Sequence, residues 1–301
     1  MTDLVLRALS KGEEHLFTGY AQPDVVGFAI FGRSYADYLA KNEYRLERTW
    51  VAMRGDRVVA RAAWWGGPDD PEPMTLDWFD FEDAEAGEAL LRAAPFRVEY
   101  CLGLPANWRD DPAVHEAGQS RIDVALKAGM KPVVERLRYT WTPADGLPPR
   151  PGRLEFRPEP DDEVIVEVLA AVQRGSLDAH KVADLRRMSP EEAARSELAD
   201  LKWFPGPREG WRLAYTPDGD LVGITVPTRN YASPVVGFIG VVPEQRGHGY
   251  AYDLLVECTH LLVEAGATQI LADTDMTNHP MAANFQRAGY PITQERVFLA
   301  W

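Results

Sequence analysis

A chain of 301 residues with 46 acidic and 32 basic side chains has a formal net charge of −14, which argues against a nucleic acid or an anionic membrane as its partner. No run of eighteen apolar residues occurs, so no membrane-spanning helix is expected, and the first residues lack the basic-then-apolar pattern of a secretory leader. The two cysteines, Cys101 and Cys258, lie in apolar runs in different halves and read as reduced core residues of a cytoplasmic protein. Six Lys against 26 Arg, with abundant Ala, is a composition associated with GC-rich bacterial genomes.

The chain opens with a short strand, "LVLRA" (4–8), and a hairpin follows at "TWVAMRGDRVVARAAWW" (49–65), with its turn at Gly-Asp. The apolar run "MTLDWFDF" (74–81) reads as a central strand. It leads into "EDAEAGEALL" (82–91), where Glu82, Asp83, Glu85 and Glu88 suit the positive end of a helix. After a further helix, "KAGMKPVVERLRYTW" (127–141) gives a helix end, a Gly stop and a strand. The next segment, "PADGLPPRPG" (143–152), holds four Pro and two Gly in ten residues and reads as a linker.

Beyond the linker the order is strand (153–157), helix (161–174), a loop and second helix (189–202), hairpin (211–226), strand (234–242), helix (249–265), strand (268–274), helix (280–288) and strand (292–300). The ending "RAGYPITQERVFLAW" (287–301) aligns without a gap on residues 127–141, matching Ala288, Gly289, the Glu-Arg pair and Trp301. A period near 150 residues is too long for a solenoid and fits two copies of one α+β domain with a mixed sheet, 1–142 and 153–301.

The stretch "VVPEQRGHGYAYDLL" (241–255) runs from a buried strand through Pro243 and a Gly-rich loop directly into an amphipathic helix. The first turn of that helix leaves N–H groups unpaired at the positive end of its dipole. Gly247 and Gly249 allow close approach to the main chain, and Arg246 adds a positive charge. Together these suit an anion such as a pyrophosphate.

"R-G-H-G-Y-A" (246–251) resembles the R/Q-x-x-G-x-G/A motif of the GNAT superfamily of acyl-CoA-dependent N-acyltransferases. "NHPMAANFQRAGY" (278–290) is similar to that family's second acyl-CoA segment, and its "N-x-P-M" form resembles bacterial tandem-GNAT proteins such as mycothiol synthase. The resemblance implies two tandem GNAT-like domains, each a mixed, mostly antiparallel sheet flanked by helices. It implies acetyl-CoA or another acyl-CoA as the donor, in the second copy. Main-chain groups of Val241 and Val242 would meet the pantetheine and the acyl carbonyl. Gln245, Arg246, Gly247, His248, Gly249, Tyr250 and Ala251 would hold the pyrophosphate. Asn278 would bond the pantetheine arm or cap its helix, and Met281 and Phe285 would line the arm's wall or pack in the core.

Phe285 stands where family members often carry a Tyr that protonates the departing thiolate, so Tyr250, Tyr252 or a water is left for that role. The strand "VVGFIGVV" carries no acid at the family's usual base position. Asp273 and Asp275 are the candidates at the next strand's end, with Asp178, His180 and Asp184 in the loop over the acceptor cleft as alternatives. In the first copy, the four carboxylates of 82–88 would repel a pyrophosphate, so that half is expected to have lost the donor site. The expected reaction moves an acyl group to the amine of a small, cationic acceptor, in a monomer or a homodimer. The alternatives are a non-catalytic ligand-binding protein of the same fold, or an enzyme taking its acyl group from a carrier-protein thioester.

Overall fold

In the computed structural model, which describes residues 3–20 and 25–301, the chain runs β1 (Leu4–Ala8), α1 (Glu14–Thr18), α2 (Tyr35–Ala40), β2 (Thr49–Arg54), β3 (Arg57–Trp65), β4 (Thr75–Phe81), α3 (Ala84–Ala93), β5 (Glu99–Pro105), α4 (Pro112–Ala128) and β6 (Lys131–Trp141). It continues with β7 (Glu155–Arg157), α5 (Asp162–Gln173), α6 (Ala179–Asp184), α7 (Pro190–Trp203), β8 (Arg212–Tyr215), β9 (Leu221–Arg229), β10 (Pro234–Val241), α8 (Tyr250–Glu264), β11 (Ile270–Asp275), α9 (His279–Arg287) and β12 (Ile292–Ala300). The expected elements are present. The short helix α6 is an addition, in a stretch read as loop, and Asp178 nucleates it by accepting from the Lys181 N–H at 3.0 Å.

Two units emerge: residues 1–135 with 294–301, and residues 136–293. The strands of the first run β1-β2-β3-β4-β5-β12, and those of the second β6-β11-β10-β9-β8-β7. Read from opposite ends, the two orders correspond strand for strand. Among the described residues most strand pairs are antiparallel; β4–β5 and β10–β11 are parallel.

The echo between 127–141 and 287–301 has a structural counterpart. Each closing strand pairs within the other copy's unit. β12 runs antiparallel to β5 from Gln294↔Pro105 to Leu299↔Tyr100, and β6 runs antiparallel to β11 from Arg136↔Asp275 to Trp141↔Ile270. Packing follows the same exchange. Val297 and Leu299 join a core with Leu90, Tyr100 and Leu102, whereas Tyr139 and Trp141 join one with Leu255, Cys258 and Phe285. The Pro-rich segment 143–152, read in the sequence as a linker between two copies, lies inside the second unit, and the division between the units falls within β6 and again within β12. Both cysteines are free and buried.

Most of the longer helices begin on a capping side chain. Asp83, Asp111, Asp161, Ser189 and Asn278 accept from the first-turn amides of α3, α4, α5, α7 and α9. Helix α8 has fifteen residues and starts on Gly249 with no side-chain cap.

Candidate active site

The site begins where β10 leaves β11. Along β9, strand β10 is paired from Pro234↔Arg229 to Val241↔Gly223, with a bulge between Val236 and Phe238. With β11 it shares one register pair, Val235↔Leu271. The Val242 N–H donates to the Val222 carbonyl at 2.9 Å. By the alternation of an antiparallel ladder, the peptide groups of Ile239 and Val241 then face the other way, towards the gap that opens beside β11. Glycine is required at two facing strand positions of this wall. A Cβ on Gly240 would lie 2.1 Å from Val172 Cγ1, and one on Gly223 would lie 2.0 Å from the Gly240 oxygen. The expectation that both Val241 and Val242 offer their main chain to a thioester narrows accordingly. Val242 is engaged with β9, the Val241 carbonyl accepts from Arg246 Nε at 3.1 Å, and the Val241 N–H faces the gap.

Pro243 stops the strand, and a short turn takes the amides of the next residues. The Gln245 N–H donates to the Val242 carbonyl at 3.0 Å and that of Arg246 to the Pro243 carbonyl at 3.3 Å. The amides of Gly247, His248, Gly249, Tyr250 and Ala251 have no hydrogen-bond partner among the described residues. Gly247 (φ +85°) and Gly249 (φ +76°) both sit in the left-handed region, which a side chain would strain. Free amides at an uncapped helix start form a site for a negatively charged group. The expected cradle of 245–251 is thus 247–251 in its main-chain donors.

Its arginines are arranged otherwise than the motif alone suggests. Arg246 turns back onto the C-terminal end of α5, where Nη2 donates to the Val172 carbonyl at 2.7 Å and Nη1 to that of Gly175 at 3.3 Å. A second arginine, Arg153, reaches the loop from the end of the linker. Its Nη1 donates to the His248 carbonyl at 3.1 Å, Nη2 to that of Gly249 at 3.3 Å, and Nε to Asp253 Oδ1 at 3.0 Å. Asp253 is 2% exposed on the first turns of α8, and the Arg153 guanidinium lies 5.1 Å from the Tyr250 ring centroid. Sequence reasoning missed this pair. The one available signal was an Asp among the apolar residues of α8.

On the far wall, Asn278 caps α9, with Oδ1 accepting from the Met281 N–H at 3.3 Å. Met281 is half-buried beside it. Phe285 is 2% exposed and stacks on Tyr139, ring centroids 4.4 Å apart and planes 20° from parallel, so its place is in the core beneath the wall. Tyr139 comes from the exchanged strand β6, and burial pushes its phenol up to about 12.

The acids put forward as bases all hold structural partners. Asp275 is 1% exposed and accepts from Arg136 Nε at 2.7 Å and from the Ala179 N–H at 2.7 Å. Asp273 accepts from Arg138 Nε at 2.9 Å and Nη2 at 2.6 Å. Asp178 caps α6 and pairs with Arg136 Nη2 at 2.8 Å, and His180 Nδ1 lies 3.0 Å from the same nitrogen. Since Arg136 can only donate, His180 Nδ1 accepts. Asp184 lies 3.9 Å from Lys181 Nζ, which pairs closely with the buried Glu197. Desolvation holds the Glu197 carboxyl above the usual range. Tyr252 is 7% exposed, its ring 3.7 Å from the Arg287 guanidinium, in the α8 core.

The first unit has the same opening and a different content. β4 and β5 pair only at Thr75↔Glu99 and Leu76↔Tyr100 before separating. Only Glu82 and Asp83 connect β4 to α3, against the eight residues 242–249 between β10 and α8. Asp83 caps its own helix, Oδ1 accepting from the Ala86 N–H at 2.7 Å. The separation of β4 and β5 is lined by the chain's own segment, where the Gly27 N–H donates to the Gly103 carbonyl at 2.7 Å and the Phe28 ring covers Gly103.

Residues 179–290 match the sequence model of the Acetyltransferase (GNAT) family. No curated protein matches the chain. Among solved structures, a GCN5-related N-acetyltransferase from Sphaerobacter thermophilus is similar over 98% of this chain and 94% of its own, with a TM-score of 0.60 at 18% identity. A tandem GNAT protein of the clavulanic acid biosynthesis pathway is similar over 99% of this chain and 98% of its own, with a TM-score of 0.52 at 18% identity. A GCN5-related glucosamine N-acetyltransferase region of a fungal multi-domain GH3 beta-N-acetylglucosaminidase is similar over 99% of this chain and 38% of its own, with a TM-score of 0.56 at 15% identity. At these identities the likeness is one of fold.

Proposed function

We propose, from the premise that residues 179–290 form a domain of the GNAT acetyltransferase family, that the protein transfers an acetyl or closely related acyl group from acyl-CoA to the amine of a small molecule. The observation that carries this reading is the run of five unpartnered amides, 247–251, at an uncapped helix start beside the open edge of β10. These groups fit a pyrophosphate in charge and in kind, because N–H donors at the positive end of a helix favour an anion. Acyl-CoA bound there supplies an activated thioester carbonyl.

The chain's own part is mostly binding and orientation. Gly247 to Ala251 hold the diphosphate, and the edge of β10 aligns the arm that follows it. The Val241 N–H donates to the acyl oxygen as negative charge grows on it, a main-chain effect that the Val side chain does not alter. Asn278 retains its carboxamide N–H groups for the arm while its oxygen caps α9. The acceptor must lose a proton as its nitrogen bonds to the acyl carbon and the carbon–sulfur bond breaks. With Asp273 and Asp275 each held by arginine, we assign that proton to water. No hydroxyl stands at Phe285, Tyr252 is packed in the α8 core and the Tyr250 ring lies under Arg153, so we assign the sulfur's departure as thiolate.

We further propose a small, basic acceptor, in keeping with the net charge of −14, and a cytoplasmic setting, in keeping with two reduced, buried cysteines. The first unit is proposed to bind no CoA, because its β4–α3 connection is two residues long and self-capped. Thiol release from acetyl-CoA across a panel of amines, run with CoA calorimetry, tests the proposal. Amine-dependent release supports it. CoA binding without release from any amine supports a ligand-binding role instead, the reading favoured by Phe285 and the paired carboxylates. Absence of CoA binding overturns both.

A further inference from the structure

The cradle has an unusual organisation of charge. Its amides face an anion only if the carbonyls of the same peptides face elsewhere, since a peptide presents its two ends in opposite directions. In this loop Arg153 holds two of those carbonyls, those of His248 and Gly249, whose peptides carry the Gly249 and Tyr250 amides. Arg246 lies at the loop's entry on the Val241 carbonyl, whose peptide carries the Val242 amide already bonded to β9. Arg246 is committed to the end of α5, with bonds to the Val172 and Gly175 carbonyls. Arg153 is in a different situation. Its side chain is 46% exposed and lies on the loop itself, over the Tyr250 ring.

Asp253 makes that position necessary. Its carboxylate is 2% exposed and lies one turn into α8, close behind the amides that would meet a phosphate. An unpaired carboxylate there would repel the anion the helix start attracts, and a buried charge without a partner is costly. Arg153 meets both Asp253 oxygens while holding the two loop carbonyls. One residue from outside the glycine-rich motif thus cancels the adverse charge and turns the loop amides outward.

We infer that Arg153 is the positioning residue of the donor site, setting the affinity of the cradle for the diphosphate of CoA through its bonds to His248, Gly249 and Asp253. This rests on the donor-site reading above. It also ties the cofactor loop to the linker, at whose end Arg153 lies.

The test compares two donors. Acetyl-CoA carries the diphosphate, and S-acetylpantetheine lacks it. In Arg153→Met, CoA affinity by calorimetry is expected to fall at least about tenfold, the loss of one charge-assisted hydrogen bond or more. Turnover with S-acetylpantetheine is expected to stay within about twofold of the wild type. Arg153→Lys retains the charge without the fork and should lie between. Asp253→Asn, which removes the adverse charge and leaves Arg153 on the carbonyls, should bind CoA as tightly as the wild type or more so. It also serves if Arg153→Met does not fold, as judged by circular dichroism and Tm. Unchanged CoA affinity in folded Arg153→Met overturns the inference. So does an equal loss with both donors, which would mark a general structural defect, and so does a weaker complex with Asp253→Asn. A wild type that binds no CoA overturns the donor-site reading itself, a result separable from all of these.

Discussion

Arg136 and Asp275 face each other across paired strands, Nε to Oδ1 at 2.7 Å, with the Asp275 side chain fully buried. Asp275 also accepts from the Ala179 N–H at 2.7 Å, which anchors the start of α6. This carboxylate ties β11 to β6 and to the start of α6, so its removal is expected to act on stability first. Asp275→Ala leaves Arg136 with Asp178 as its remaining carboxylate and the Ala179 N–H without its acceptor, a loss of about 1–3 kcal/mol. Chemical denaturation of the wild type and variant measures this. A stable variant with abolished turnover would instead make Asp275 the general base.

Gly249→Glu is expected to abolish measurable CoA binding. At φ +76° any side chain is strained, and a carboxylate at the start of α8 adds charge repulsion. A Cβ on Gly87 would lie 2.9 Å from the Phe81 ring, so Gly87→Glu would disturb packing. Exposed Glu85 is the better site, and Glu85→Gln should leave one CoA bound per chain. Calorimetry giving two sites in the wild type would contradict the assignment of an inactive first unit.

Leu299 is fully buried and sits on β12 opposite Tyr100 of β5. Leu299→Ala should cost about 2–5 kcal/mol, and the loss should appear in the first unit. Amide hydrogen exchange is expected to accelerate in β3, β4 and β5 ahead of β8, β9 and β10. Faster exchange beginning in the second unit would show that the last strand belongs with the half it follows in sequence.

Burial raises three groups to about 12: the Cys258 thiol from 9.0, and the Tyr35 and Tyr139 phenols from 10.0. Each folded value lies above the unfolded one. Their contribution to stability is therefore complete below about pH 9 and is lost as pH rises towards 12. Thermal melts should show Tm falling over that window. At pH 8 a thiol reagent should find neither cysteine in the folded protein and both after denaturation. Rapid labelling of Cys258 in the native state would refute its burial.

Much of this protein could be read directly from its residues. The strand and helix order, the duplication and the glycine-rich loop all depend on local patterns: periodicity, Pro and Gly placement, and a helix start without a cap. Those patterns act over a few residues, so they survive in the sequence whatever the rest of the chain does.

Other features became visible only in three dimensions. "ERLRYTW" and "ERVFLAW" are alike enough to complete either sheet, and no local property tells which unit each strand will join. Pairing decides that, through side chains more than a hundred residues away. Asp273 and Asp275 look in sequence like free carboxylates at a strand end, and they become structural only because β6 brings Arg138 and Arg136 to them. Arg153 lies outside the motif, about 95 residues before the loop it holds, and the motif's own Arg246 turns away to cap α5. Charge pairing is governed by distance through space, which spacing along the chain does not encode, so the glycine-rich loop was legible in the sequence while its side-chain partners were set by the fold.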